Sequence, residues 1–205
     1  MSKTVIGIDL GSTLSECSII ENGKPIVVVN EEGSYTTPSV IALKNGERKV
    51  GGAAKRQMIV NPKETVNLIK RFMGNSYEES KEAIKHVQYD IVDKNGMPKV
   101  LVEGREYSPE ELSSMIIAKM KKIAEDYLGK EVTDAVITVP AFFSDASRAA
   151  TKMAAELCGL NVLRIIAEPT AALLSSNIDM KKGGKYMVVD FGGKLSQYCL
   201  HTYVA

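Results

Sequence analysis

The tightest constraint on this chain is the order of signals between residues 108 and 176. Ser108-Pro109-Glu110-Glu111 is a capping box with proline at the first helical position. The apolar residues Leu112, Met115, Ile116, Met120, Ile123 and Tyr127 then fall on one stripe at helical spacing, and Gly129 stops the helix. Ala135-Val136-Ile137-Thr138-Val139 follows, an apolar strand without polar alternation, as expected where both faces are covered. A helix capped by Ser144 runs to about Cys158, with Gly159 as its stop. Residues 162–166 read as another buried strand, and a short helix occupies residues 168–176. Strands and helices alternating in this way predict an α/β core with parallel strands.

Three strand-like runs precede this core. Val5-Ile6-Gly7-Ile8-Asp9-Leu10 leads into Gly11-Ser12-Thr13, a second run passes through Cys17-Ser18-Ile19-Ile20, and a third spans residues 26–29 after the tight-turn pair Asn22-Gly23. They predict an antiparallel meander. Thr37-Pro38-Ser39 breaks the pattern before the strand-like Val40-Ile41-Ala42-Leu43. From residue 44 to 107 polar turns (Asn45-Gly46, Asn95-Gly96, Glu103-Gly104) alternate with short helical pieces, predicted at 53–59 and 65–72. This stretch reads as a smaller α+β subdomain inserted into the first. Lys181-Lys182-Gly183-Gly184 reads as a linker.

Composition narrows the function. With 205 residues, 44% hydrophobic and 25% charged, the chain can bury a real core and does not have the makeup of a disordered one. Its 26 basic and 25 acidic side chains nearly cancel, which argues against a nucleic-acid partner. No apolar run approaches the roughly 20 residues a membrane helix requires, so no membrane association is expected. The N-terminus enters a strand directly, unlike a signal peptide. Cys17, Cys158 and Cys199 are far apart and follow no metal-binding spacing, so they read as reduced thiols in a cytoplasmic protein. His86 and His201 are too few for a zinc hydrolase or a Ser-His-Asp triad. The nine methionines read as core fillers, and Lys121-Lys122 as solvated charge.

One unit recurs. Tyr186-Met187-Val188-Val189-Asp190-Phe191-Gly192-Gly193 has the form of Val5-Ile6-Gly7-Ile8-Asp9-Leu10-Gly11-Ser12: apolar strand, Asp, apolar residue, Gly, small residue. A glycine-rich turn between strands can aim several backbone N–H groups at one phosphate. An aspartate just before it suits Mg²⁺ held through water. One such turn alone is better read as a hairpin whose Asp bonds its own backbone; the second copy is what favours the phosphate reading.

Gly7-Ile8-Asp9-Leu10-Gly11-Ser12-Thr13 resembles the first phosphate loop of DnaK-type (seventy-kilodalton heat-shock) chaperones, members of the actin and sugar-kinase ATPase superfamily. The likeness continues in family order through Thr36-Thr37-Pro38-Ser39, Ala54-Lys55-Arg56-Gln57, Ile69-Lys70-Arg71-Phe72-Met73-Gly74, Val139-Pro140-Ala141-Phe142-Phe143 and Glu168-Pro169-Thr170-Ala171-Ala172. It weakens after about residue 175. The resemblance implies an actin-like (ribonuclease H-like) α/β lobe with a mixed sheet flanked by helices. Residues 1–39 and 108–184 would form its core, 40–107 the inserted subdomain, and 185–205 the opening strands of a mostly missing second lobe.

It also implies roles. Asp9 and Asp190 match the aspartates that face Mg²⁺ through water, Glu168 the glutamate beside the attacking water, and Lys70 the lysine that reaches the γ-phosphate. Gly11, Ser12, Thr13, Gly192 and Gly193 match the phosphate loops. Pro140 and Arg148 match a pair that relays nucleotide state. Without the resemblance, Lys70 and Arg148 would read as solvated helix charges and Glu168 as an acid favoured at a helix start. The implied ligands are ATP or ADP with Mg²⁺, and the implied partners are chaperone or co-chaperone proteins.

The chain also departs from the pattern. The second loop normally reads Asp-x-Gly-Gly-Gly-Thr, and here it is Asp190-Phe191-Gly192-Gly193-Lys194-Leu195; Leu14 stands where Asn or Tyr is usual. The family's nucleotide-binding domain is also nearly twice as long. The expectation is therefore a partial nucleotide-binding region of an ATP-dependent folding chaperone with weak or no ATPase activity. The alternative is a catalytically inactive, chaperone-like interaction module that self-associates through residues 185–205 or binds a chaperone.

Overall fold

A computed structural model describes residues 4–176, 184–191 and 196–203. β1 (Val5–Asp9), β2 (Leu14–Glu21) and β3 (Lys24–Val27) form the expected antiparallel meander. The β2–β3 turn places Asn22 at φ 51° and Gly23 at φ 77°, the two positive angles that a tight hairpin turn demands. β4 (Thr37–Pro38) returns to pair with the start of β2.

Next come β5 (Ile41–Lys44), β6 (Glu47–Val50), α1 (Gly52–Lys55) and β7 (Thr65–Val66), with the three strands in the order β6-β5-β7. After α2 (Tyr77–Ile84), a second small sheet has the order β10-β9-β8, built from β8 (Asp90–Lys94), β9 (Met97–Val102) and β10 (Arg105–Tyr107). The helices expected at 53–59 and 65–72 are corrected here. α1 stops at Lys55. Thr65 and Val66 pair with Ala42 and Ile41 as strand, and Ile69–Phe72 is a 3₁₀ turn. The break is at Leu68, whose φ of 55° is left-handed and incompatible with a continuous helix.

α3 (Pro109–Leu128) starts as expected: Glu111 N–H donates to Ser108 Oγ (3.1 Å), and Ser108 N–H to the Glu111 carboxylate (2.6 Å). Leu112, Ile116, Met120 and Ile123 are buried along its stripe, whereas Tyr127 is 49% exposed and falls off it. β11 (Asp134–Val139), α4 (Asp145–Leu157), β12 (Asn161–Ala167) and α5 (Glu168–Ser175) complete the α/β core. β11 pairs in parallel with β1 on one side and β12 on the other, so the principal sheet is mixed, in the order β12-β11-β1-β2-β3. This is the mixed α/β sheet flanked by helices expected of an actin-like lobe. β13 (Gly184–Phe191) and β14 (Ser196–Tyr203) pair with each other along their full length, and β13 packs against α5. Of the expected linker at 181–184, Gly184 opens β13 and 181–183 lie outside the described residues.

Alternation along the strands divides the principal sheet into two unlike faces. Ile6, Ile8, Cys17, Ile19, Ala135 and Ile137 are buried with residues of α3 and α4 in one core. Gly7, Asp9, Glu16, Ser18, Val136 and Thr138 turn the other way and are only half-buried. β11 is therefore covered by core on one face, and Val136 and Thr138 border an open cleft on the other. β12 is likewise no buried strand. It forms the sheet edge, and a register shift opposite Ala135/Val136 leaves Leu163 and Arg164 exposed.

Cys17 lies in this core, and burial, with a smaller contribution from the charge of Glu16, pushes its thiol up to about 11. Because the thiolate is the nucleophile, maleimide at pH 7.5 should label Cys17 only as the chain unfolds. Peptide mass spectrometry should find Cys17 protected without urea and modified in it. Equal labelling in both conditions would contradict the buried assignment.

Candidate functional site

The open side of the principal sheet borders a cleft of about 880 Å³. Asp9, the turn after it, Lys70, Thr138, Pro140, Glu168 and Asp190 all contribute to its lining. Each reaches the cleft from a different element, and local structure explains how.

The first turn is pinned from below. Ser39 Oγ donates to the Gly11 carbonyl oxygen (2.8 Å), Ser39 N–H to the Thr13 carbonyl oxygen (2.9 Å), and the Ser39 and Ser15 hydroxyls bond at 2.8 Å. The 36–39 segment thus has a local task, fixing the shape of the loop formed by Gly11, Ser12 and Thr13. Gly11 has no room for a side chain: a Cβ there would run into the backbone carbonyl oxygen of Leu14. Ser12 and Thr13 line the cleft beside it.

Asp9 ends β1, and the Thr138 hydroxyl, from the neighbouring strand β11, donates to its Oδ1 at 2.8 Å. Directly across the β1–β2 pair stands Glu16. Burial, and secondarily the charge of Asp9, hold the Glu16 carboxyl above the ordinary carboxylate range.

Lys70 sits on the 3₁₀ turn and is only 4% exposed. Its Nζ donates to Glu168 Oε1 at 2.6 Å, a contact between residues 98 positions apart, and lies 5.6 Å from the centre of the Phe143 ring. Glu168 opens α5, where the helix N-terminus favours a carboxylate, and is 18% exposed. Arg148, on α4, donates through Nε to the Phe143 carbonyl oxygen (3.2 Å) and through Nη2 to that of Ala141 (3.4 Å). It therefore clasps the segment after Pro140 that sets the Phe143 ring on Lys70. The solvated-charge reading fails for both cations, because each is held against specific partners.

Asp190, on β13, reaches the same cleft. Gly192, Gly193, Lys194 and Leu195 lie outside the described residues. Among the described residues no three His, Cys, Asp or Glu side chains gather into a direct metal cage. The carboxylate oxygens of Asp9 and Asp190 fit a hard ion such as Mg²⁺ that retains much of its water.

A family model described as Hsp70 protein matches residues 5–200. The chain belongs to the Hsp70 family. As an Hsp70-family chain it carries a chaperone nucleotide-binding region, in a family that binds ATP or ADP with Mg²⁺ and works with co-chaperones. Among the described residues no helix of this Hsp70 segment is long and apolar enough to cross a membrane.

Sequence reading missed Glu16 in the lining of this Hsp70 cleft, and the part that Ser15 and Ser39 play in bracing its loop. The signal for Glu16 was period-2 alternation, which puts it on the face of Leu14 and Ser18, opposite Cys17 and Ile19. Which strand lies alongside, and hence that Asp9 is its neighbour, follows only from the register.

Proposed function

We propose that this chain is the first lobe of the nucleotide-binding domain of a DnaK-type, cytoplasmic folding chaperone, gripping the phosphates of Mg·ATP or Mg·ADP. In this reading residues 1–39 and 108–184 are the lobe's core, 40–107 its insert, and 185–205 the entry to the second lobe. The observation that carries it is convergence: Asp9, Thr13, Lys70, Glu168 and Asp190, far apart in the sequence, line one cleft.

Each residue has a task that its surroundings suit. The loop of Gly11, Ser12 and Thr13 holds phosphate oxygens, and its shape is kept by Ser39. Asp9, oriented by Thr138, and Asp190 hold water molecules of the hydrated cation. Mg²⁺, when bound, neutralises phosphate charge. Lys70 offers its ammonium to the γ-phosphate, where negative charge spreads over the oxygens as the bond to the leaving phosphate breaks. Glu168 orients the attacking water and accepts its proton. Pro140 and Arg148 act at a distance: a shift of the segment they hold moves the Phe143 ring and with it Lys70.

Calorimetric titration of the chain with Mg·ADP and Mg·ATP tests the reading, with saturable heat as the expected result. Asp9→Asn should weaken binding by about 10- to 100-fold, the loss expected for a charged hydrogen-bonded contact. Wild-type affinity in Asp9→Asn would refute the site assignment.

A further inference from the structure

Glu16 has no task in the reading above, yet its position is specific. Asp9 and Glu16 are direct cross-strand partners in the antiparallel β1–β2 pair. Side chains so paired share one face of the sheet, with Cβ atoms about 5 Å apart. Both residues line the 880 Å³ cleft, and both are half-buried. Among the described residues neither has a lysine or arginine partner; the nearby ammonium of Lys70 goes to Glu168. Like charges directly opposite each other destabilise a sheet unless something between them compensates.

We infer that Glu16 is a specificity-determining residue of this cleft: its carboxylate, side by side with Asp9, repels phosphates that arrive without a divalent ion, so the cleft selects metal-bound over metal-free nucleotide. This rests on the nucleotide reading of the cleft proposed above. A single aspartate before a phosphate loop repels bare phosphate and attracts a hydrated cation; a second carboxylate beside it strengthens both effects. In linkage terms, Glu16 enlarges the factor by which metal raises nucleotide affinity, and by reciprocity the factor by which nucleotide raises metal affinity.

The test is calorimetric titration of the whole chain with ADP at pH 8, once with excess Mg²⁺ and once with excess EDTA, for wild type, Glu16→Gln and Glu16→Ser. Glu21→Gln, at the exposed end of the same strand, serves as the control. The inference predicts that the Mg²⁺-to-EDTA affinity ratio falls about fivefold or more in both Glu16 variants. Most of that fall should come from tighter metal-free binding, with Glu21→Gln unchanged. Glu16→Gln keeps the shape of the side chain and Glu16→Ser removes its bulk, so agreement between them separates charge from packing. A ratio within twofold of wild type in both variants overturns the inference while leaving the nucleotide reading standing. Absence of saturable binding in wild type under both conditions overturns the nucleotide reading and this inference with it.

Discussion

Glu168→Ala should destabilise the fold by about 3–5 kcal/mol, the usual cost of removing one partner from a buried ion pair. Lys70 remains 4% exposed, with its ammonium turned toward a carboxylate that no longer exists. The Phe143 ring, 5.6 Å away, offsets only a fraction, since a cation over an aromatic face contributes about 0.5–2 kcal/mol. Against a typical stability of about 5–15 kcal/mol, this would be plain as a lowered urea midpoint at unchanged slope. The double variant Lys70→Met with Glu168→Leu should cost less than Glu168→Ala alone, because it leaves no unpaired charge in the interior. A loss below about 1 kcal/mol for Glu168→Ala would mean that the pair behaves like an exposed one.

Gly11→Ala should do its largest damage to the cleft. The added methyl group meets the carbonyl of Leu14, which is backbone and cannot swing aside as a side-chain tip would. The turn must open, and the Ser39 hydroxyl bond to the Gly11 carbonyl lengthens or breaks with it. Overpacking of this kind costs about 1–3 kcal/mol. Nucleotide affinity should fall further still, since displaced loop groups no longer converge on one phosphate. Gly7→Ala is the instructive comparison: its Cβ would lie 2.6 Å from the Ser18 hydroxyl, a side-chain tip that rotates away. Urea titration and calorimetry on the two variants should rank Gly11→Ala well below Gly7→Ala in both readouts. The reverse ranking would show that the loop tolerates rearrangement.

What was legible in the sequence was what is decided locally. The Asn22-Gly23 turn, the Ser108–Glu111 box and the Ser144 cap each specify their own few residues, and each appears where its chemistry put it. The 65–72 segment was misread because a short apolar run is compatible with strand or helix until its pairing is known. Pairing with β5 took Thr65 and Val66, and a left-handed Leu68 set the turn that presents Lys70. β11 misled for a related reason. Absence of polar alternation suggested cover on both faces, but Val136 and Thr138 border a cleft, where apolar and hydroxyl side chains are equally at home. The meeting of Lys70 with Glu168 has no local signature, so only family likeness anticipated that both would matter. Glu16 escaped notice because it matters through its neighbour across the strand pair, a relation that no short stretch of sequence records.

The two unlike faces of the principal sheet carry an evolutionary consequence. Along β1, β2 and β11, successive residues answer to different masters: one to the packing of the interior, the next to whatever occupies the cleft. A lineage can therefore exchange side chains at every second position and retune charge, metal preference or affinity without disturbing what keeps the chain folded. Glu16, beside Asp9, occupies one such position: its chain neighbours Ser15 and Cys17 are buried, while its own side chain answers to the cleft.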